Sequence, residues 1–229
     1  SILEDMTQYH NRGGLILGAI QNVLKLFFQN IYNVVPNYGL SIIVFTILIK
    51  IVLLPFNIMQ TKSTVKMQLI QPKLKELQEK YKKNPEKLQE AQLALYKSEG
   101  VNPMAGCLPI LIQMPILFAI FYVFRDPAVF QGGNAVFLGL NLVEPLKSAG
   151  PLPIALVFTA LSGLSTFVST WLLTPKNQEA NAMSSSSTNI IMSVFFAYIS
   201  FGMPAGLVVY WIVNNILQMG IQYALNKAL

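Results

Sequence analysis

The sequence predicts an all-α, polytopic membrane protein. It has five membrane-spanning helices, an N-terminal amphipathic helix lying in the interface, and a helical hairpin in the cytoplasm. Three observations carry this. Of 229 residues, 53% are hydrophobic and only 11% are charged, far from an ordinary soluble domain. Apolar stretches recur at about 20 residues, the length a helix needs to cross roughly 30 Å of hydrocarbon. The basic residues are gathered, with nine of the sixteen Lys and Arg between Lys62 and Lys97, so the net charge of +6 gives no general case for nucleic-acid binding.

Residues 1–37 form an extracellular N-terminal region. Within 15–35, Asn22, Lys25, Gln29 and Asn33 recur at three- and four-residue steps and leave Leu17, Ile20, Leu24, Phe27, Phe28 and Ile31 for the other side. That pattern predicts a helix in the interface plane rather than a span. The first span covers 38–59, the second 103–124 and the third 153–173. The next apolar stretch, 189–223, is too long for one crossing and carries Gly202, Pro204 and Gly206 near its middle. It divides into spans at 189–201 and 205–223, joined by an extracellular turn at 202–204.

Between the first two spans, 60–102 reads as an antiparallel hairpin. Leu74, Leu77 and Tyr81 share one helical face, Asn84 is placed to cap a second helix begun by Pro85, and Gly100 closes it. Two readings of its charge stand side by side. One is a solvated connector held by Lys/Glu pairs; the other is a docking surface for ribosome, targeting factor or anionic lipid head groups, using Lys73, Lys75, Lys80, Lys82 and Lys83. The loop 125–152 is predicted to lie on the outer membrane surface, and the loop 174–188, with its run "EANAMSSSSTN", to be mobile and without a site. A short cytoplasmic tail, 224–229, follows the last span.

Orientation follows from the basic residues beside the spans. Placing the hairpin, Lys176 and Lys227 on one side gathers eleven, against four (Arg12, Lys25, Arg125, Lys147) on the other. The eleven face the cytoplasm, so five spans put the N-terminus outside and the C-terminus inside.

One cysteine, Cys107, excludes an internal disulfide and a multi-cysteine metal site, and one histidine, His10, is too few for a zinc cage or a His-based triad at membrane depth. No metal, cofactor or catalytic residue is expected, and the reading is not that of an enzyme.

Lys50 stands thirteenth of the twenty-two residues in 38–59, inside "FTILIKIVLLPF". A lysine at a helix centre costs roughly 2.5 to 3.5 kcal/mol on insertion scales, so its default reading is functional. No Asp or Glu occurs in any of the five spans, which excludes a buried ion pair within them and favours hydration. Polar faces on neighbouring spans agree. The first span adds Thr46 and Asn57, and the second carries Gln113 between Pro109 and Pro115. The third carries Thr159, Ser162, Thr166, Ser169 and Thr170, and the fifth Asn214, Gln218 and Gln222 at four-residue steps with Asn215 beside them. Ser and Thr alone would suit interhelical hydrogen bonds. With a central lysine and several carboxamides they predict a hydrophilic cavity. A groove of this kind, open toward lipid, gives the hydrophilic part of a nascent membrane protein a resting place partway across. Lys50 would attract an acidic tail by roughly 4 kcal/mol per close pair at an effective dielectric near 20, and about 1 in bulk water.

The chain resembles the YidC-type insertases of the Oxa/YidC family. The resemblance rests on "YGLSIIVFTILIKIVLLPF", "QPKLKELQEKY" and "LYKSEGVNPMAGCLPILIQMPILFAIFYVF" together with "GMPAGLVVYWIVNN". Its specific signals are the Asn-Pro-x-x-Gly-Cys-x-Pro-x-x-x-Gln-x-Pro run at 102–115 and the Pro-Ala-Gly-Leu-Val-x-Tyr-Trp run at 204–211. The resemblance implies a five-helix core with a groove open to the cytoplasm, acting alone on small substrates or beside the Sec translocon in a bacterial cell membrane. It is similar to the short form without a large periplasmic domain. The family's groove charge, usually arginine, falls on Lys50 here; lysine keeps the charge but loses the bidentate fork. The expected function is a membrane-protein insertase and chaperone with nascent chains of one or few spans as substrates. The partners are the ribosome, the Sec translocon and anionic lipids, and the groove is lined by Lys50, Thr46, Gln113, Thr159, Ser162, Thr166, Ser169, Asn214 and Gln218. The alternative is a solute transporter or channel using the same cavity.

Overall fold

The computed structural model describes residues 2–102, 108–130, 133, 135–173 and 186–228. The expected loop 174–188 therefore lies mostly outside the described residues, Lys176 with it, as does the 103–107 part of the Pro-rich motif.

Helix α1 runs over Ile2–Val34, and α2 (Tyr38–Val52) starts at Asn37, whose Oδ1 accepts from the Leu40 N–H at 3.0 Å. This cap satisfies one of the free N–H groups of the first turn. The Ser41 hydroxyl donates to the Val35 carbonyl at 2.9 Å and fixes the corner between the two helices. Phe28 and Ile31 of α1 are buried against Phe45 of α2 and Phe124 of the later helix α6 (Leu108–Arg125). Phe28 meets the rings of Phe45 and Phe124 edge-on at 5.6 Å and 5.3 Å, the geometry that aromatic quadrupoles favour.

The helix expected to run unbroken over 38–59 divides instead. Helix α2 ends at Val52, and α3 (Leu54–Leu69) continues at a bend of 58°. Pro55 is the cause, because it brings no N–H to the ladder and its ring crowds the carbonyl four residues back. Lys50 thus sits in the last turn of α2, just before the bend.

Helices α4 (Gln71–Lys80) and α5 (Pro85–Ser98) follow, with Asn84 accepting from the Lys87 N–H at 3.2 Å and Gly100 at φ +60°. Buried Ile70, Leu74 and Val101 join them at their base, and Lys73 pairs with Glu99.

The segment after α6 has structure of its own. It turns through a 3-10 segment at Pro127–Phe130 into a two-residue hairpin, β1 (Val136–Phe137) and β2 (Leu140–Asn141), and buries Leu140, Leu142 and Leu146. Its apolar residues are the reason: they cover the link between α8 (Ser186–Gly202) and α9 (Ala205–Ala228). Four backbone bonds clasp that link. The N–H groups of Leu146 and Lys147 donate to the carbonyls of Met203 and Phe201; those of Ala205 and Gly206 donate to Glu144 and Leu142. Gly202 closes α8, Pro204 is buried and bridges to Pro145, and Gly206 sits in the first turn of α9. A Cβ at 206 would stand 3.1 Å from the Leu142 oxygen, so this is a place where glycine permits close approach.

Helix α7 (Leu152–Leu173) is the one described helix long and apolar enough to cross a membrane by itself, and the bent α2–α3 pair passes the same test together. Ile112–Arg125 and Asn189–Gly202 are shorter apolar stretches. Helix α9 packs against both α7 and α2.

Candidate functional site

The polar residues converge on α9. At about 100° per residue, Trp211, Asn215, Gln218 and Gln222 fall within about 60° of arc, so they form a single stripe along the helix. Its first half meets α7 and its second half meets α2 and α3.

In the first half, Thr166 accepts from Trp211 Nε1 at 2.8 Å and from Asn215 Nδ2 at 3.1 Å, and Ser165 accepts from Asn215 at 3.2 Å. Ser162 reaches across to Ser200 of α8 at 2.9 Å, and Thr166 also donates back to the Ser162 carbonyl. Ser169 is buried on the same helix, while the buried hydroxyl of Thr159 has no hydrogen-bond partner among the described residues. The Trp211 ring stacks on Phe196 at 4.8 Å, which fixes where its N–H points.

In the second half, Lys50 Nζ donates to Gln218 Oε1 at 2.8 Å, and the Thr61 hydroxyl donates to Gln222 Oε1 at 3.2 Å. Lys50 is only 8% exposed, and Thr46, Asn57, Gln60, Thr61, Asn214 and Gln222 are buried with it. Thr46 spends its proton on the Ile42 carbonyl, 2.6 Å away in its own helix. Asn57 Nδ2 has no hydrogen-bond partner among the described residues. An unpaired buried donor carries a cost of roughly 1 to 3 kcal/mol that water or an incoming polar chain would relieve. Gln113 donates to the Tyr210 hydroxyl at 3.3 Å and ties α6 to α9.

The electrostatics are one-sided. Helices α2, α3 and α6 to α9 contain no Asp, Glu or His, so the Lys50 charge has no carboxylate within them and its partner is a neutral amide. The same helices carry no carboxylate or imidazole, and the described residues contain no cluster of His, Cys, Asp and Glu able to hold a metal. What the arrangement offers is a wall of neutral hydrogen-bonding groups around one buried cation.

Of the residues singled out in sequence, the structure brings Lys50 and Gln218 into contact and sets Thr166 and Ser162 in the α7 network. It places Gln113 one helix away, on Tyr210. Lys75, Lys82 and Lys83 are exposed, Lys80 stands over the Tyr81 ring at 5.4 Å, and Lys73 is engaged by Glu99. Gln60 and Thr61 escaped the sequence reading because it ended the first span at 59. Their signal was there: Asn57 and Thr61 are one helical turn apart, matching Gln218 and Gln222.

The family model described as 60Kd inner membrane protein matches residues 30–229. The membrane protein insertase YidC of Clostridium perfringens (strain 13 / Type A) is 39% identical over 218 residues, covering 89% of this chain and 88% of that one. That of Clostridium tetani (strain Massachusetts / E88) is 37% identical over 221 residues, covering 93% and 96%. A YidC from Chlorobaculum tepidum is 41% identical over 216 residues but is covered over only 35% of its length. Among solved structures, an active YidC insertase crystal structure with the first transmembrane domain resolved superposes with a TM-score of 0.64 at 30% identity. It is matched over 90% of this chain and 46% of that one. By the extent of these matches, this chain belongs to the 60Kd inner membrane protein family, the family of the YidC-type membrane protein insertases.

Proposed function

We propose that this integral membrane protein inserts nascent membrane proteins, receiving their hydrophilic segments in the polar space between α2, α3, α7 and α9 while their apolar segments meet lipid. The observation that carries the reading is Lys50: a cation buried among helices without a single acid, held by the neutral Gln218. A charge so placed costs several kcal/mol unless water or a counter-charge reaches it. A groove that is wet at rest and takes up a polar chain in use meets both conditions.

The two clostridial relatives, both membrane protein insertases, support insertion as the activity. In this reading five spans cross the membrane, the N-terminus lies outside and the C-terminus lies in the cytoplasm. The α4–α5 hairpin projects its free lysines toward ribosome, Sec translocon or anionic lipid, each Lys near such a surface contributing about 1 kcal/mol. No step requires bond chemistry, and the protein acts as an insertase and chaperone rather than as an enzyme.

The test is reconstitution into sealed liposomes with a small single-span substrate bearing an acidic tail. The expected result is a protease-protected tail in vesicles holding the protein and none in empty vesicles. Leakage of small solutes without any protected tail would overturn the reading and point to a transporter or channel.

A further inference from the structure

The hairpin between α6 and α7 turns at Leu138 and Gly139, whose φ angles are +51° and +82°. A two-residue turn with both central residues at positive φ suits the twist of paired strands, but it is normally built from Asn, Asp or Gly. A leucine there is strained, because its Cβ crowds the following carbonyl. Its side chain is not buried in return: Leu138 is 64% exposed, and Val136 beside it 47%. In water an asparagine would hold the same turn with less strain and no exposed apolar surface. The other face of the hairpin is packed, with Leu140 fully buried and the Phe137 ring filling the space that a side chain at Gly39 would need. The turn itself lies against the start of α7. A Cβ at Gly139 would stand 3.0 Å from Ile154 Cδ1, and the Gly139 carbonyl leaves no room for one at Gly150.

We infer that Leu138 and Val136 form a lipid anchor, reaching from the hairpin tip into the bilayer surface beside the first turn of α7. The inference rests on α7 crossing the bilayer, as in the reading above, and in that orientation the leaflet is the outer one. Three observations select lipid as the occupant. The tip stands beside a helix whose Leu152, Leu156 and Leu164 are exposed along its length, so its apolar surface continues that of a span. No Lys, Arg, Asp or Glu occurs from 127 to 143, so the tip carries no charge to hold it in water or to select a head group. Two side chains also fall far short of the roughly 1,600 Å² that a standard protein interface buries, which disfavours a second copy or another protein. Withdrawing the leucine side chain from water offsets the strain of its backbone. Because the backbone of Leu142 and Leu146 in the same segment clasps the α8–α9 link, the anchor also sets the depth of that link in the leaflet.

The experiment attaches a nitroxide spin label to one introduced cysteine at a time, Leu138→Cys, Lys147→Cys or Leu164→Cys, in the full chain with its single native cysteine removed by Cys107→Ser. The labelled proteins are reconstituted into phosphatidylcholine vesicles. Collisions with oxygen, which concentrates in lipid, are compared with collisions with a water-soluble nickel chelate. The label at 138 is expected to behave like the one at 164, with an oxygen-to-nickel ratio several times that at 147. A label at 138 that meets nickel as readily as the one at 147 overturns the anchor alone, and so does one shielded from both reagents, which marks a protein cover. A label at 164 that meets nickel rather than oxygen overturns the crossing of α7 and the anchor with it.

Discussion

Asp126 ties α1 to the bundle through a single side chain. Its carboxylate accepts from Lys25 at 2.6 Å and from the Ala128 N–H at 2.9 Å. The Lys25 hydrogen bond, helped by that of Ala128, holds the carboxyl below its ordinary value of 3.8 against a smaller opposing effect of burial. A carboxyl whose folded pKa is depressed adds stability above its unfolded value and loses it as pH falls through the folded one. With the Asp126 side chain 37% exposed, solvent screening keeps the contribution small. Asp126→Asn is expected to lower stability near neutral pH by about 0.5 kcal/mol, with the gap to native closing in acid below the ordinary carboxylate range. Thermal unfolding in detergent micelles across that pH range checks it; a gap that persists in acid contradicts the ion-pair explanation. Neither this pair nor Lys50–Gln218 was legible in sequence as a pair, although Lys50 itself was. The partners lie 101 and 168 residues apart, and only the packing phase of the helices decides which side chains meet.

Helices were legible where one local signal dominated. The α7 boundaries, Leu152–Leu173, fall within a residue of the expected 153–173, because an apolar run of that length has no competing pattern. The break after Gly202 followed from its Gly and Pro residues. One element was misread because a tertiary effect outweighed the local one. Pro55 bends the first apolar run, yet the unbroken hydrophobicity around it reads as a straight span. No periodicity marks Leu140, Leu142 and Leu146 in the sequence, and they fill the space beside the α8–α9 link. Contact between α7 and α8 depends on Gly163, where a Cβ would come within 2.9 Å of the Ala197 Cβ and 3.3 Å of the Ser193 oxygen. Small residues at such a crossing let helices approach closely enough for Ser162 to reach Ser200. Gly163→Val is therefore expected to destabilise the protein by about 1 to 3 kcal/mol through overpacking. An unchanged midpoint of thermal unfolding would contradict the close crossing.

For the molecule as a whole, α9 is the organising element. Its apolar residues Leu207, Val208, Val209 and Tyr210 enter the core near the clasped link, while its polar stripe hands over from α7 to α2 and α3 along its length. A hydrophilic interior among apolar helices was foreseeable from Lys50 and the absence of acids. Its actual division was not, because Ser162, Ser165 and Thr166 bond across to α8 and α9 whereas Gln60 and Thr61 extend the polar wall past the expected end of the first span. The central claim is that the uncompensated charge of Lys50 receives the polar part of a substrate. The most direct measurement is protease protection of an acidic-tailed, single-span substrate in liposomes holding native protein, Lys50→Arg or Lys50→Leu. The account predicts protection with native and Arg proteins and at least about a fivefold loss with Leu, since the interaction is worth upward of about 1 kcal/mol. Equal protection with all three would contradict it.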